Sequence, residues 1–144
     1  MNCFVVDANV AIKWYVPEIL SAQADHFLED AATTDAKLFG PDLIIAELGN
    51  TLWKKHRMKE LSLKEAREIL VKIQDSFPVR VYAASSLLES AWEIARTYDR
   101  SVYDALYIAL AEQQKAVLIT ADQKLVNALN QSPLKQYIQW LGGS

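Results

Sequence analysis

Short apolar runs alternate with longer helical segments along the chain. Two of them, Cys3–Val6 and Val117–Ile119, are apolar throughout, which is typical of strands buried on both faces. Further short strands are predicted at Lys37–Phe39, Val79–Tyr82 and Ile138–Leu141. Strands that alternate with helices in this way predict an α/β fold, a three-layer α/β/α sandwich with a mainly parallel central sheet.

The helical segments carry recognisable start signals. The segment from Leu43 to about Arg57 has apolar residues on one stripe, as an amphipathic helix requires. Two motifs of the type S-x-x-E, Ser62–Glu65 and Ser86–Glu89, predict capping boxes that each begin a further helix. Ser101 is predicted to cap the apolar helix that follows it.

The bulk composition limits the class of protein. With 144 residues, 51% of them apolar, the chain is expected to form a single domain over residues 1–144 with a substantial core. Its apolar runs are far shorter than the ~20 residues that span a bilayer, and its first residues do not resemble a signal peptide. Cys3 is the only cysteine, so no internal disulfide can form and a cytoplasmic location is expected.

Four acidic residues occupy positions where a parallel sheet forms its sites. Asp7 directly follows the first strand and Asp122 follows Val117–Ile119, and sites in such sheets form beyond the carboxyl ends of the strands. Glu47 lies at the margin of an apolar helical stripe, and Asp104 lies in the first turn of an apolar helix. These two helices are predicted to flank the same edge.

Each acid also has a structural explanation. Asp7 and Asp122 can cap helices, Glu47 can form a salt bridge, and the helix dipole favours Asp104 by about 0.3–1 kcal/mol. Their convergence favours a site, because carboxylates that approach one another repel unless a cation lies between them. A ligand set made only of oxygen atoms favours Mg²⁺ or Mn²⁺ over zinc.

The net charge of −3 would normally argue against a nucleic-acid partner. If the four acids bind metal, however, 14 acidic residues remain against 15 basic ones, and the ion itself adds positive charge. The basic residues Lys13 and Lys54 to Arg57 either contact a nucleic-acid backbone or form a solvated helix face.

Four segments resemble the PIN-domain nucleases, and more closely the VapC-type toxins of toxin–antitoxin pairs. They are FVVDANVAIKWYV, PDLIIAELGNTLWK, SVYDALYIALAE and VLITADQKL, and they occur in the order of the family and span most of the chain. The resemblance implies that Asp7 and Asp104 are the core metal ligands. It implies that Glu47 and Asp122 complete the site, directly or through waters.

The same resemblance implies supporting residues, a reaction and partners. Asn9 and Thr120 match polar positions that accompany the acids, and Asn50 matches a position of structural support. The implied reaction is Mg²⁺- or Mn²⁺-assisted hydrolysis of RNA phosphodiester bonds. The implied partners are RNA, a cognate antitoxin and a second copy of the chain in a homodimer, with no membrane. An aromatic and apolar group is either core or a partner surface: Trp14, Trp53, Trp92, Phe27 and Leu28.

Two rival interpretations remain at this point. A PIN-type domain that binds or processes RNA without acting as a toxin shares the same chemistry. A signalling receiver domain also has an acidic pocket on an α/β sheet, but it requires paired acids after the first strand. Here a lone Asp7 is followed by Asn9.

Overall fold

The computed structural model describes residues 2–143 and places five strands in one sheet. The strands are β1 (Cys3–Val6), β2 (Lys37–Pro41), β3 (Arg80–Tyr82), β4 (Val117–Thr120) and β5 (Ile138–Trp140). Their order is β3-β2-β1-β4-β5, and all four pairings are parallel. The predicted mainly parallel sheet is therefore confirmed.

Within residues 2–143, seven α-helices connect and follow the strands. They are α1 (Ala8–Ala11), α2 (Ser21–Thr33), α3 (Leu43–Arg57), α4 (Leu63–Ser76), α5 (Leu88–Tyr98), α6 (Val102–Gln114) and α7 (Gln123–Leu129). Short 3₁₀ turns occupy Ile12–Trp14, Ala84–Ser86 and Pro133–Tyr137. Every predicted strand is present within two residues of its predicted ends, and the predicted bounds of α3 are those observed.

The strand order creates a switch point between β1 and β4. From β1 the chain proceeds to β2 and β3 on one side of the sheet, and later returns to β4 and β5 on the other. Ligands of open α/β sheets bind where the strand order reverses in this way. The order also excludes the receiver domain, whose strands are arranged 2-1-3-4-5.

Helices cover both faces of the sheet and fix the position of the site. Val5 and Val6, on opposite faces of β1, are both completely buried. Helix α6 is buried on all sides over residues 105–111 and packs on α5 and on strands β1, β2 and β4. A helix that is apolar all round has to lie inside the fold, so the start of α6, with Asp104, is held against the sheet.

Of the two predicted capping boxes, one is present. The Ser62 hydroxyl accepts a hydrogen bond from the Glu65 backbone N–H, and the Glu65 carboxylate accepts one from the Ser62 N–H. The prediction at Ser86 is wrong. Ser86 lies inside a 3₁₀ turn, its hydroxyl donates to the Ala83 carbonyl at 2.7 Å, and α5 begins only at Leu88.

Across residues 2–143 the structure contains no helix that combines the length and the apolar character needed to cross a membrane.

Candidate active site

The Thr120 hydroxyl joins the ends of β1 and β4. It donates a hydrogen bond to Asp7 Oδ2 at 2.9 Å, and it accepts from Asn9 Nδ2 at 3.3 Å and from the Asp122 backbone N–H at 3.1 Å. Thr120 is completely buried. A hydroxyl has one proton and two lone pairs, so every hydrogen-bonding position of this side chain is used.

The residues around Thr120 also fix the loops that follow β1 and β4. Asn9 Oδ1 accepts from the Ala121 backbone N–H at 3.0 Å, which ties the start of α1 to the loop after β4. Asp122 Oδ1 accepts from the Leu125 N–H at 3.2 Å and thereby caps α7. Asp7 caps α1 through a weaker contact of 3.4 Å with the Asn9 N–H. Their capping role does not remove these acids from the site.

Glu47 projects from α3 and is held by a tyrosine of α6. The Tyr107 hydroxyl donates to Glu47 Oε1 at 2.6 Å, and Tyr107 is only 3% exposed. Glu47 is therefore held by a hydrogen bond from a tyrosine, and not by the salt bridge that the sequence left open as an alternative. The hydrogen bond occupies one carboxylate oxygen of Glu47, and Glu47 also lines the cleft described below.

A cleft of about 410 Å³ brings the predicted acids together. Its lining includes Asp7, Glu47, Asp104 and Asp122, together with Asn9. Asp104 reaches it from the first turn of α6, which Ser101 caps by accepting from the Asp104 N–H at 3.0 Å. Thr120 lies beneath the cleft floor, bonded to three of its residues. The sequence-based selection of one shared sheet edge therefore agrees with the geometry.

Burial and mutual repulsion raise the pKa values of three of these acids. Burial raises the pKa of Asp7 to about 7, and the charges of Glu47 and Asp104 add to this against the opposing hydrogen bond from Thr120. Burial also raises the pKa of Glu47, with a further contribution from the charge of Asp104. The pKa of Asp104 rises through burial and through the charge of Asp122. Strongly perturbed acids in a cleft are typical of functional sites.

Comparison with known protein families assigns this chain to one of them. The model of the PIN domain matches residues 4–128. The chain belongs to the PIN domain family. Among its relatives, Ribonuclease VapC3 of Pyrobaculum aerophilum is 35% identical over 122 residues, which cover 84% of this chain and 90% of the relative. Ribonuclease VapC1 of Mycobacterium tuberculosis is 32% identical over 88 residues, which cover 61% of this chain and 65% of the relative.

Solved structures share the fold of this PIN domain. The crystal structure of PAE2754 from Pyrobaculum aerophilum is 27% identical, with a TM-score of 0.67 over 96% of this chain and 89% of that one. VapBC2 from Rickettsia felis, solved bound to a DNA fragment from its promoter, superimposes with a TM-score of 0.66 over 96% and 98%. At 15% identity, this second match shows a shared fold and nothing more.

The donor set of this PIN domain fits a hard divalent cation by its chemistry. All four acidic ligand candidates are carboxylates that line one cleft, and such oxygen ligands suit Mg²⁺ or Mn²⁺. Within the described chain, no three acidic, histidine or cysteine side chains are grouped closely enough to form a ready ion site. The two histidines lie elsewhere, with His26 exposed beside Asp30 and His56 against the Leu61 carbonyl.

Sequence reasoning missed two features of this PIN domain. Tyr107 was considered part of an apolar helix, although its hydroxyl bonds a site acid 60 residues away. Glu18 also lines the cleft, where Lys13 and Lys55 bind its carboxylate at 3.0 and 2.7 Å. The only sequence signal for Tyr107 was a hydroxyl-bearing residue in an otherwise apolar run, since a buried tyrosine hydroxyl requires a partner.

Removing the Tyr107 hydroxyl is expected to impair the site without unfolding it. Tyr107→Phe keeps the ring in the core and deletes only the hydrogen bond that orients Glu47. Partners that orient a ligand typically contribute 10–100-fold, so we expect Mg²⁺ affinity, measured by calorimetry, to fall about 10-fold or more. Tyr103→Phe, on the exposed side of α6, is the matched control. Equal Mg²⁺ affinity for both variants would contradict a positioning role for Tyr107.

Proposed function

We propose that this protein is a divalent-metal-dependent endoribonuclease that hydrolyses RNA phosphodiester bonds, and that it is the toxin of a VapBC-type toxin–antitoxin pair. The observation that carries the proposal is the convergence of Asp7, Glu47, Asp104 and Asp122 on one cleft at the switch point. Relatives named as ribonucleases of the VapC type support it. We further propose that residues 1–144 act as one nuclease domain and that this domain works in the cytoplasm.

In this proposal the four acids bind Mg²⁺ or Mn²⁺. Asp7 and Asp104 are the core ligands, and Glu47 and Asp122 complete the site directly or through waters. When bound, such an ion lowers the pKa of a water ligand and stabilises negative charge on phosphate oxygens. A phosphodiester could not approach four bare carboxylates, so the cation is also what makes the cleft accessible to RNA.

The remaining side chains keep the acids in place. The Thr120 hydroxyl bond holds Asp7 and favours its ionised form. The Tyr107 hydroxyl holds Glu47 on one oxygen and leaves the other free. Asn9 fixes the loop after β4 through the Ala121 N–H, which keeps Asp122 beside Asp7 on the lining of the cleft.

The proposed partners are a cognate antitoxin and a second copy of the chain. Trp53 and Trp92 are 56% and 54% exposed, whereas Trp14 is partly buried and its indole N–H donates to the Ala24 carbonyl. Large exposed aromatic residues favour a surface that another protein covers. A structural neighbour from Klebsiella pneumoniae, solved as a toxin–antitoxin complex at 16% identity, has the same fold.

A cleavage assay tests the nuclease proposal. Purified protein is expected to cut an end-labelled single-stranded RNA internally with Mg²⁺, and to stop when EDTA removes the ion. Asp104→Asn protein, prepared in parallel, reveals any contaminating host nuclease. Asp99→Asn is the matched control, because Asp99 is exposed in a left-handed conformation that asparagine tolerates. Wild-type cleavage no greater than the background of the Asp104→Asn preparation, or cleavage that persists in EDTA, would contradict the assignment.

Induced expression tests the toxin proposal separately. Expression of the wild-type chain is expected to arrest growth, and co-expression of the adjacent reading frame is expected to restore it. Normal growth with abundant, RNA-cleaving protein would instead indicate a PIN domain used in RNA processing.

A further inference from the structure

One face of α3 forms a polar stripe along the cleft. Glu47, Asn50, Thr51 and Lys54 all line it. Residues three, four and seven apart lie on one face of a helix, and the adjoining face is the apolar one that buries Ile44, Leu48 and Leu52. The stripe therefore leads away from the acidic residues and ends at a cation.

Two donors on this stripe have no acceptor within the part of the chain that the structure describes. Among residues 2–143, the Asn50 side chain makes no hydrogen bond and Lys54 makes no ion pair. Thr51 is different, because its hydroxyl donates to the Glu47 carbonyl at 3.0 Å. Among the described residues, no side-chain hydrogen bond of Asn50 accounts for the structural support that its motif position implied. Its amide and the Lys54 ammonium are available to an acceptor in the cleft.

Glu18 does not compete for Lys54. This carboxylate also lines the cleft, but Lys13 and Lys55 bind its two oxygens at 3.0 and 2.7 Å. Burial alone would raise the pKa of Glu18, yet the hydrogen bonds from the two lysines outweigh it and lower the pKa. Three lysines and one carboxylate leave this end of the cleft positive, whereas the end with the four acids is negative.

The two ends of the cleft are separated along α3. Lys54 follows Glu47 by seven residues, which corresponds to about 10 Å along a helix axis. An anion bound at Lys54 can therefore be a different group from the one that lies over the acids. On a polyanionic strand whose scissile phosphate occupies the acidic end, it is a neighbouring phosphate.

We propose that Asn50 and Lys54 form a binding site for an RNA backbone phosphate next to the scissile one. The proposal rests on the ribonuclease function proposed above and adds a subsite to it. Lysine and amide contacts to phosphate position a strand without reading its sequence. The subsite therefore binds single-stranded RNA through its backbone and sets affinity and register, while the choice of sequence lies elsewhere.

A binding titration tests the subsite without depending on cleavage. The protein carries Asp104→Asn to prevent hydrolysis, and the probe is a fluorescent single-stranded RNA of about ten nucleotides. Adding Lys54→Met is expected to raise Kd about five- to tenfold at low salt and to reduce the slope of log Kd against log salt by about 0.7, the value for one lost phosphate contact. Asn50→Ala is expected to raise Kd about threefold with an unchanged slope, because it removes no charge.

Lys72→Met is the matched control, since Lys72 is an exposed lysine of α4 that does not line this cleft. Lys72→Met changes the net charge by the same amount as Lys54→Met. It is expected to leave Kd, and the slope of log Kd against log salt, as in the parent Asp104→Asn protein. In the cleaving protein, Lys54→Met is expected to raise KM with kcat changed less than about twofold, as for a contact made equally in ground and transition states.

The outcomes separate this proposal from the one it rests on. Identical salt slopes for Lys54→Met and Lys72→Met, or a loss of affinity explained by a lower melting temperature, would overturn the subsite. If the wild-type protein still cleaves RNA in the kinetic measurements, the ribonuclease proposal survives. If the wild-type protein cleaves no RNA with Mg²⁺ or Mn²⁺, the ribonuclease proposal itself fails.

Discussion

Replacing Asp7 by asparagine is expected to abolish RNA cleavage and, in the same molecule, to stabilise the metal-free protein above neutral pH. The loss of cleavage should be at least about 10³-fold, because the variant removes one of the charges that would hold the proposed cation. The asparagine carbonyl can still accept the 2.9 Å hydrogen bond from Thr120, so the loops around the site keep their connection.

The gain in stability follows from the pKa of Asp7. This pKa is about 7 in the folded protein against 3.8 in the unfolded chain, so the folded state binds the extra proton between these values. The free energy of unfolding therefore falls as pH rises from about 4, and the loss is complete above about pH 7. At about 1.4 kcal/mol per pKa unit, reduced because Asp7 keeps some exposure, asparagine should recover about 2–4 kcal/mol.

Urea unfolding in EDTA at about pH 5 and pH 8 measures this effect. The Asp7→Asn protein should gain stability relative to wild type at the higher pH and show a weaker pH dependence. Some dependence should remain, since the pKa values of Glu47 and Asp104 are raised as well. Asp99→Asn, at an exposed acid, should change neither property. Destabilisation of Asp7→Asn at pH 8 would show that Asp7 is not held in a strained, charged state.

Replacing Thr120 by valine is expected to damage both stability and cleavage. Valine has nearly the same shape, but it leaves the Asp122 N–H and the Asn9 amide without their acceptor and Asp7 without its donor. Unsatisfied groups of this kind in a buried position should cost about 2–4 kcal/mol of unfolding free energy. Cleavage should fall about 10–100-fold, as when a partner of a metal ligand is removed.

Thr120→Ser is the control that isolates the hydroxyl. It removes one buried methyl group, which costs about 1 kcal/mol, and it should retain cleavage within about threefold of wild type. The valine variant should also need a higher pH for its remaining activity, because the lost hydrogen bond normally lowers the pKa of Asp7. Equal activities of the valine and serine variants would show that the hydroxyl network does not support the site.

The sequence predicted best those features that depend on nearby residues. The strand ends at Asp7 and Asp122 and the bounds of Leu43–Arg57 follow from periodicity and turn chemistry, which act over a few positions. The four acids could be selected because parallel strands place their carboxyl ends at one edge. The order of the motifs then favoured one shared site over four separate structural roles.

The features that were missed depend on the local backbone conformation at Ser86 and, for Tyr107 and Glu18, on long-range partners. Ser62 and Ser86 carry the same S-x-x-E motif, but only Ser62 has the extended backbone that precedes a helix, whereas Ser86 lies within a turn. Tyr107 meets Glu47 across 60 residues. The role of Glu18 depends on Lys55 of another helix. No local pattern specifies such pairs, because packing of the finished core determines them.

The position of β4 beside β1 sets when activity can arise during synthesis. Asp7 emerges from the ribosome early, but the hydroxyl that holds it belongs to a residue 113 positions later. Contacts so distant in sequence form late. A growing chain that has not yet released β4 lacks Thr120 and Asp122, so this half of the cleft cannot be complete before β4 has folded beside β1.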